Sequence, residues 1–250
     1  MASFVANGHS VKLHVYEEVP GVPSGVMIVD AAAVLSRDRL FAHRKTGSFA
    51  QFADWFRYRL LHAQGGIWAD TDVVCLQALR YAHEEIFAWQ DDELINIAVL
   101  GLAVGHPLAA WMAACCDEPN RVLPYDGARQ RRRKWRRRWL QGNRRSDVKW
   151  DEFGPRGFTQ AARHLGFTHR ALPAKHFYAV PFERWCSVFE NGPTNWDGVL
   201  AESRCLHLWN EMLRRDPTFD KNARFPDDSL FERLCRQYLK DDSLSTASRR

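Results

Sequence analysis

The sequence predicts an α/β domain. Helical and strand-like segments alternate along the chain. Of its 250 residues, 46% are apolar and 12% aromatic, enough for a sizeable core, and no internal repeat is visible. The first segment, VKLHVYEEV from Val11, alternates apolar and polar positions as a half-buried strand does. GVMIVDA, from Gly25, is a short buried run of the parallel-sheet kind. DAAAVLSRDRLF reads as a brief helix with Asp30 near its N-cap. In SFAQFADWFRYRLLHAQGG, residues Phe49, Phe52, Phe56, Leu60 and Ala63 recur at three- and four-residue spacings. Ser48 can cap the start of that helix and Gly65 can take a left-handed position past its end.

EEIFAWQ and INIAVLGLA are expected strands, and HPLAAWMAACCDE is a helix after a Gly-His-Pro turn. The stretch from Arg129 is helical by propensity and spaces Trp135 and Trp139 at i, i+4. GPRGFTQAARHLG is a helix opened by Pro155 and closed by Gly166. Short strands are expected around FYAVPF and CLHLW, and a final helix in DDSLFERLCRQYLK. The organisation expected is one domain over 1–240, with a basic helical excursion at 125–150 and a frayed tail at 241–250.

No apolar run approaches the roughly 18 residues that span a bilayer. The opening MASFVANGHSVKLHVYEE is interrupted by Asn7, His9 and Lys12, unlike a signal peptide, so a soluble cytoplasmic protein is expected. The six cysteines show neither paired spacing nor a CxxC, which argues against a zinc site or a disulfide framework. Most sit among apolar neighbours, as in DVVCL and SRCLHLW, so buried reduced thiols are expected. The formal charge of +5 is local in origin. Arg129 to Arg145 carries ten Lys or Arg and no acid, so the rest of the chain is ten lower, at −5.

The segment with the most chemistry is GGIWADTDVVC, from Gly65 to Cys75. Asp70 and Asp72, one residue apart at a strand end or in a tight turn, can converge on one point. Two such anions repel unless a cation or a set of donors lies between them, and carboxylates suit Mg²⁺ or Mn²⁺. A solvated turn is the competing reading of Asp-x-Asp alone. The helix leading to it adds Asp54 and Arg57 as i, i+3 neighbours beside Phe52, Trp55, Phe56 and Leu60. A charged pair in such apolar company needs partners. Gly65-Gly66 then permits a sharp reversal toward the aspartates.

FADWFRYRLLHAQGGIWADTDVVCLQAL resembles the DXD-containing sugar-binding region of glycosyltransferase family 32. The resemblance rests on the ordered pattern Asp-x-x-Arg-Tyr, a Leu-rich helix, Gly-Gly, an aromatic residue and Asp-x-Asp. VGHPL, GPRGFT and HLWN extend it more weakly over most of the chain. It implies a GT-A-like (Rossmann-type nucleotide-sugar-binding) fold. It also implies a metal-dependent, retaining transferase moving a hexose from a nucleotide sugar, a UDP-sugar rather than GDP-mannose, to a glycan, lipid-linked or other acceptor.

On that resemblance Asp70 and Asp72 are the catalytic candidates. Asp54 and Arg57 would hold hydroxyls of the donor sugar, and Asp70 would contact the ribose, the sugar or metal-bound water. Asp72 would ligate Mn²⁺ or Mg²⁺ directly, and Trp68 would line the nucleotide pocket. His207 would complete the metal shell or meet the diphosphate, with Trp209 closing over it, and Asn96 would contact sugar or acceptor. In relatives the first strand precedes the SFVANGHSVKLHVYE region. The expectation is therefore a fold lacking that strand, or a strand encoded upstream of Met1.

Three readings stand for residues 129–145: an anionic membrane surface or anionic acceptor, a solvated face, and nucleic acid. The last is disfavoured, because the segment matches no nucleic-acid-binding motif. For the whole chain, two alternatives to the enzyme remain. One is a catalytically inactive, truncated GT-A domain acting as a binding module, and the other is nucleic-acid binding through the Arg-rich helix.

Overall fold

The structure, a computed structural model, describes residues 1–149, 151–192 and 194–239; the tail at 241–250 lies outside them. In chain order the elements begin α1 (Ala2–Ala6), β1 (Val11–Val15), β2 (Val26–Asp30), α2 (Ala50–Gln64), β3 (Gly66–Ala69) and β4 (Val73–Cys75). The middle of the chain forms β5 (Ile86–Trp89), β6 (Ile95–Leu102), α3 (Pro107–Asp117), α4 (Ala128–Leu140) and α5 (Pro155–Leu165). The last are α6 (Trp196–Val199), β7 (Cys205–His207), α7 (Asn210–Arg215) and α8 (Leu230–Tyr238). The fold is mixed α/β, with small parallel and antiparallel sheets, consistent with a GT-A-like domain. Contacts divide the chain into two compact units, each interrupted in sequence by the other. Among the described residues no helix is long and apolar enough to cross a membrane.

One unit comprises Ala31–Ala69 and Tyr81–Pro173. Its sheet has the order β3-β6-β5, all antiparallel, and every residue of the central strand β6 is buried. Helix α2 buries Phe52, Trp55, Phe56, Tyr58 and Leu61. Tyr58 stacks on Phe158 of α5 and donates its hydroxyl to the Phe153 carbonyl at 2.7 Å, so its one polar atom is satisfied in the core. Phe49, not Ser48, is the N-cap residue and makes no side-chain cap hydrogen bond; Ser48, one position earlier, accepts from the Ala50 N–H. Gly65 has a positive φ of 64° but an extended ψ of −163°, outside the left-handed helical region expected for it. A Cβ there would lie 2.8 Å from the Val104 nitrogen, so only glycine fits.

The basic helix α4 belongs to this unit, and its charges divide into two sets. Lys134 and Arg137 are buried. Lys134 bonds both carboxylate oxygens of Asp126 at 3.0 and 2.7 Å, while Arg137 and Arg133 converge on Glu152. Arg145, further along, lies over Trp55 and donates to the carbonyls of Cys116 and Asp117 at the C-terminal end of α3, where a cation is favoured. The run is therefore not one uniform solvated face. About half of it holds the unit together.

The other unit comprises Met1–Asp30, Asp70–Arg80 and the chain from Ala174. It contains the parallel pair β1-β2 and the antiparallel pair β4-β7. Its core gathers Val180, Val188, Phe189, Trp196, Leu206, Leu213, Leu230 and Leu234. Three local expectations change. β2 pairs only with β1 among the described strands and leaves Met27 and Ile28 more than half exposed, so it is not a buried run. The stretch after Asp30, which belongs to the first unit, forms two separate 3₁₀ turns, Ala31–Ala33 and Arg37–Arg39, instead of a helix. FYAVPF is buried but not a strand: Phe177, Tyr178 and Val180 pack from turns, and Pro181 lacks the N–H a ladder needs. Four of the six cysteines are buried and all six are free. Burial pushes the Cys115 thiol up to about 11, consistent with unreactive core thiols.

Gly157 in the first turn of α5 offers a test of this packing. A methyl there would overlap the carbonyl of Glu152, the residue that holds Arg133 and Arg137. Gly157→Ala should destabilise by on the order of 1–3 kcal/mol, while Gly127→Ala, with nothing near its Cβ position, should cost far less. Equal urea midpoints for the two variants would contradict this packing.

Candidate active site

β3 ends at Ala69 and β4 begins at Val73, so Asp70, Thr71 and Asp72 form the connection between them, as their spacing suggests. Asp70 is half-buried, and its carbonyl accepts from the Val73 N–H at 3.1 Å. The chain passes from one unit to the other at Ala69–Asp70, so the candidate residues fall in two groups.

The first group is built on the β4-β7 pairing, whose register sets Val73 opposite His207. Leu208 N–H donates to the Asp72 carbonyl at 2.9 Å and extends that pairing by one step. His207 Nε2 lies 3.2 Å from Asp72 Oδ2, and the Asn210 backbone N–H donates to the same oxygen at 2.9 Å. Burial acts to raise the Asp72 pKa. The hydrogen bond and charge of His207, with the Asn210 N–H, outweigh it and hold the carboxyl below its ordinary value.

Aromatic rings pack against His207. The Trp209 ring lies 4.2 Å from that of His207, and Tyr178 packs edge-on to His207 at 5.8 Å. Trp209 donates its indole N–H to the Val180 carbonyl and holds a left-handed backbone at φ 53°, ψ 48°. A bulky residue adopts that conformation only where the surroundings impose it. Trp209 is thus fixed beside His207, where the sequence places it. Asn210 and Tyr178 were missed. HLWN contains the first, but the donor is a backbone N–H, which no side-chain pattern reveals; Tyr178 lay in a segment read as a strand.

The second group lies in the other unit. Arg57 is 5% exposed and Asp54 6% exposed. Arg57 Nη2 is 3.4 Å from Asp54 Oδ1, and its Nη1 donates to the Ile97 carbonyl at 2.6 Å. Ile97 stands in neither the β3 nor the β5 pairings, so the guanidinium satisfies a carbonyl that the sheet leaves open. The guanidinium also lies over Trp68, 4.9 Å from the ring centre. The pair is therefore a buried structural junction as well as a candidate sugar contact. Asn96 is committed at both ends of its amide, donating to Gln90 Oε1 and accepting from the Ala98 N–H.

As metal donors, Asp72 and His207 stand together, and His207 Nδ1 is buried without a hydrogen-bond partner. Among the described residues no three His, Cys, Asp or Glu side chains converge. A carboxylate and an imidazole fit as the protein's share of a divalent shell whose other ligands are phosphate oxygens and water.

Residues 17–93 match the glycosyltransferase sugar-binding region containing the DXD motif, and residues 146–240 match the α-1,4-glycosyltransferase conserved region. Over these two regions the chain is similar to DXD-containing and α-1,4-glycosyltransferases. The first region contains Asp54, Arg57, Trp68, Asp70 and Asp72, and the second contains His207, Trp209 and Asn210. Human lactosylceramide 4-α-galactosyltransferase is 26% identical over 166 residues, covering 64% of this chain and 41% of the relative. The rat enzyme of the same name is 27% identical, covering 64% and 40%. The match thus spans less than half the length of these relatives. No solved structure matches the chain.

Arg57→Ala should strip both Asp54 and the Ile97 carbonyl of a buried partner and cost about 3 kcal/mol or more, with Arg57→Lys recovering only part. Urea midpoints close to wild type for the alanine variant would remove the structural share of its role. Ionised Asp72 should stabilise the fold above about pH 4, because its pKa is depressed on folding, and the gain should vanish as pH falls through the folded value. The urea-midpoint gap between wild type and Asp72→Asn should narrow below about pH 4; a gap that widens in acid would contradict the sign.

Proposed function

We propose that the chain is a metal-dependent, retaining transferase that moves a hexose from a UDP-sugar to a glycan or lipid-linked acceptor. The observation that carries this reading is the pairing of Asp72, from the DXD turn, with His207 from a strand far along the chain. The relatives are, by their names, galactosyltransferases acting on lactosylceramide. They supply the choice of a hexose donor and a glycolipid-type acceptor.

Asp72 and His207 would hold a divalent ion, which would supply Lewis-acid neutralisation of the departing diphosphate. Asp72 is kept ionised at neutral pH and aimed by the Asn210 N–H. Trp209 and Tyr178 wall off His207 and restrict water at the pair. Asp70 takes the ribose or sugar. Asp54 and Arg57 take hydroxyls of the donor sugar, and Trp68 lines the nucleotide pocket with its ring oriented by Arg57. Asn96, with its amide already engaged, has no assigned role. In the transfer the bond from the sugar anomeric carbon to the diphosphate oxygen breaks. A bond to the acceptor hydroxyl oxygen forms on the same face, and the acceptor's proton leaves with the diphosphate.

The test is donor binding by calorimetry, with UDP-glucose, UDP-galactose, UDP-N-acetylglucosamine and GDP-mannose, in Mn²⁺ and in EDTA. Asp72→Asn should weaken Mn²⁺-dependent binding by roughly a hundredfold or more, since even second-sphere changes at metal sites cost ten- to a hundredfold. Its circular dichroism should match wild type. Wild type should also release free sugar slowly from its donor when Mn²⁺ is present. Unchanged affinity in the variant would overturn the site, and binding without release of sugar would favour the binding-module reading.

A further inference from the structure

The exposed face of α4 is used by neither the fold nor the donor reading. It lies between the two regions matched by the glycosyltransferase families. We propose that this face docks on an anionic phospholipid surface, with Trp135 and Trp139 seated at the interface and Arg132, Arg136 and Arg138 against the headgroup phosphates.

The orientation of the helix is fixed from its inner side. Lys134 is locked to Asp126, Arg137 and Arg133 are locked to Glu152, and Arg131 Nε donates to the Asp126 carbonyl at 2.9 Å. With 3.6 residues per turn, Arg132, Trp135 and Trp139 fall within about 60° of one another, on the side opposite Lys134 and Arg137. Arg129 and Arg136 flank this stripe on one side and Arg131 and Arg138 on the other.

The rings are open. Trp135 is 55% exposed, and Trp139 and the terminal Leu140 are each 67% exposed. The Arg138 guanidinium lies over the Trp139 ring, 5.6 Å from its centre, and covers one face of it. Water is a poor environment for two indoles on one stripe, and packing within the protein gives no reason for them.

Their chemistry matches a bilayer boundary. Indole rings favour the headgroup level, arginine stems bury while their heads meet phosphate, and a basic amphipathic helix lies flat in the interface. At 13 residues α4 is too short to span a bilayer, which needs about 20, so it lies on the surface. A nucleic acid would also meet the arginines. It would find a convex helix surface rather than a basic groove that tracks a strand, so the lipid surface is the better complement.

The test uses the full chain and co-sedimentation with phosphatidylserine–phosphatidylcholine vesicles, with pure phosphatidylcholine vesicles and single-stranded RNA as comparisons. Each arginine near an anionic surface contributes about fivefold in partitioning. Arg132→Gln, Arg136→Gln and Arg138→Gln combined should therefore weaken vesicle binding on the order of a hundredfold, and raised salt should do the same to wild type. Trp135→Ser with Trp139→Ser should also weaken binding while every arginine is kept. Brominated lipid should quench wild-type fluorescence more than that of the double tryptophan variant. All these positions are exposed, so thermal stability should stay at the wild-type value, and donor hydrolysis in solution should be unchanged. The docking and donor readings therefore fail independently. Wild type that ignores the anionic vesicles at low salt overturns the proposal, as does a tryptophan pair whose loss changes nothing. Binding to RNA tighter than to vesicles through the same residues overturns it in favour of nucleic acid.

Discussion

Three residue pairs of antiparallel ladder, β4 against β7, carry the functional reading of this chain. They bring Asp72 within hydrogen-bond reach of the Asn210 N–H, 138 positions away in sequence, and set His207 beside the same carboxylate. So short a ladder does not fix its own register; the core does. Leu206, fully buried between Cys205 and His207, packs with Val180, Phe189, Leu213 and Leu230. A slip of one residue would turn Leu206 out of that core and His207 away from Asp72. The hydrophobic effect thus places a polar pair with which it has no direct interaction. The left-handed Trp209 then packs its ring against His207.

In the other unit, polar satisfaction determines what the charged residues can do. The β3 ladder stops at Val99, and the carbonyl of Ile97 beyond it is met by Arg57. A guanidinium suits that place because its fork reaches a carbonyl, a carboxylate and an aromatic face from one planar group. The same residue can serve stability and recognition, and its substitution affects both.

The basic run makes the same point on a larger scale. Ten like charges in seventeen positions would repel one another in isolation. The fold meets this by burying acids opposite one side of α4: Asp126 for Lys134, and Glu152 for Arg133 and Arg137. What remains outward is a narrower stripe with a different composition, arginine with tryptophan, and it is available for external contacts because the inner side already holds the helix.

Much of this was legible in the sequence. The helix over Ala50–Gln64, the glycines at 65 and 66, the Asp-x-Asp turn, strands β5, β6 and β7 and helices α3, α4, α5 and α8 all follow from local rules of spacing, capping and β-branching, though of the periodic set only Phe52 and Phe56 are buried while Phe49 and Ala63 are exposed. The residues proposed for the donor site were named from a contiguous motif, one late tetrapeptide and, for Asn96, the strand INIAVLGLA. The tertiary structure alone decided which of these residues are engaged elsewhere. Asn96 is held by Gln90 and by its own strand, Arg57 is half committed to Ile97, and Tyr178 lies against His207 from a turn. The helix expected after Asp30 and the strand around Val180 failed because short apolar runs bury equally well in turns when neighbours supply the hydrogen bonds. The division of the arginines was hidden for the same reason. Periodicity shows that a helix has two sides, but only packing decides which side meets Glu152 and Asp126 and which is left to water, since that depends on residues brought close by the fold and not by the chain.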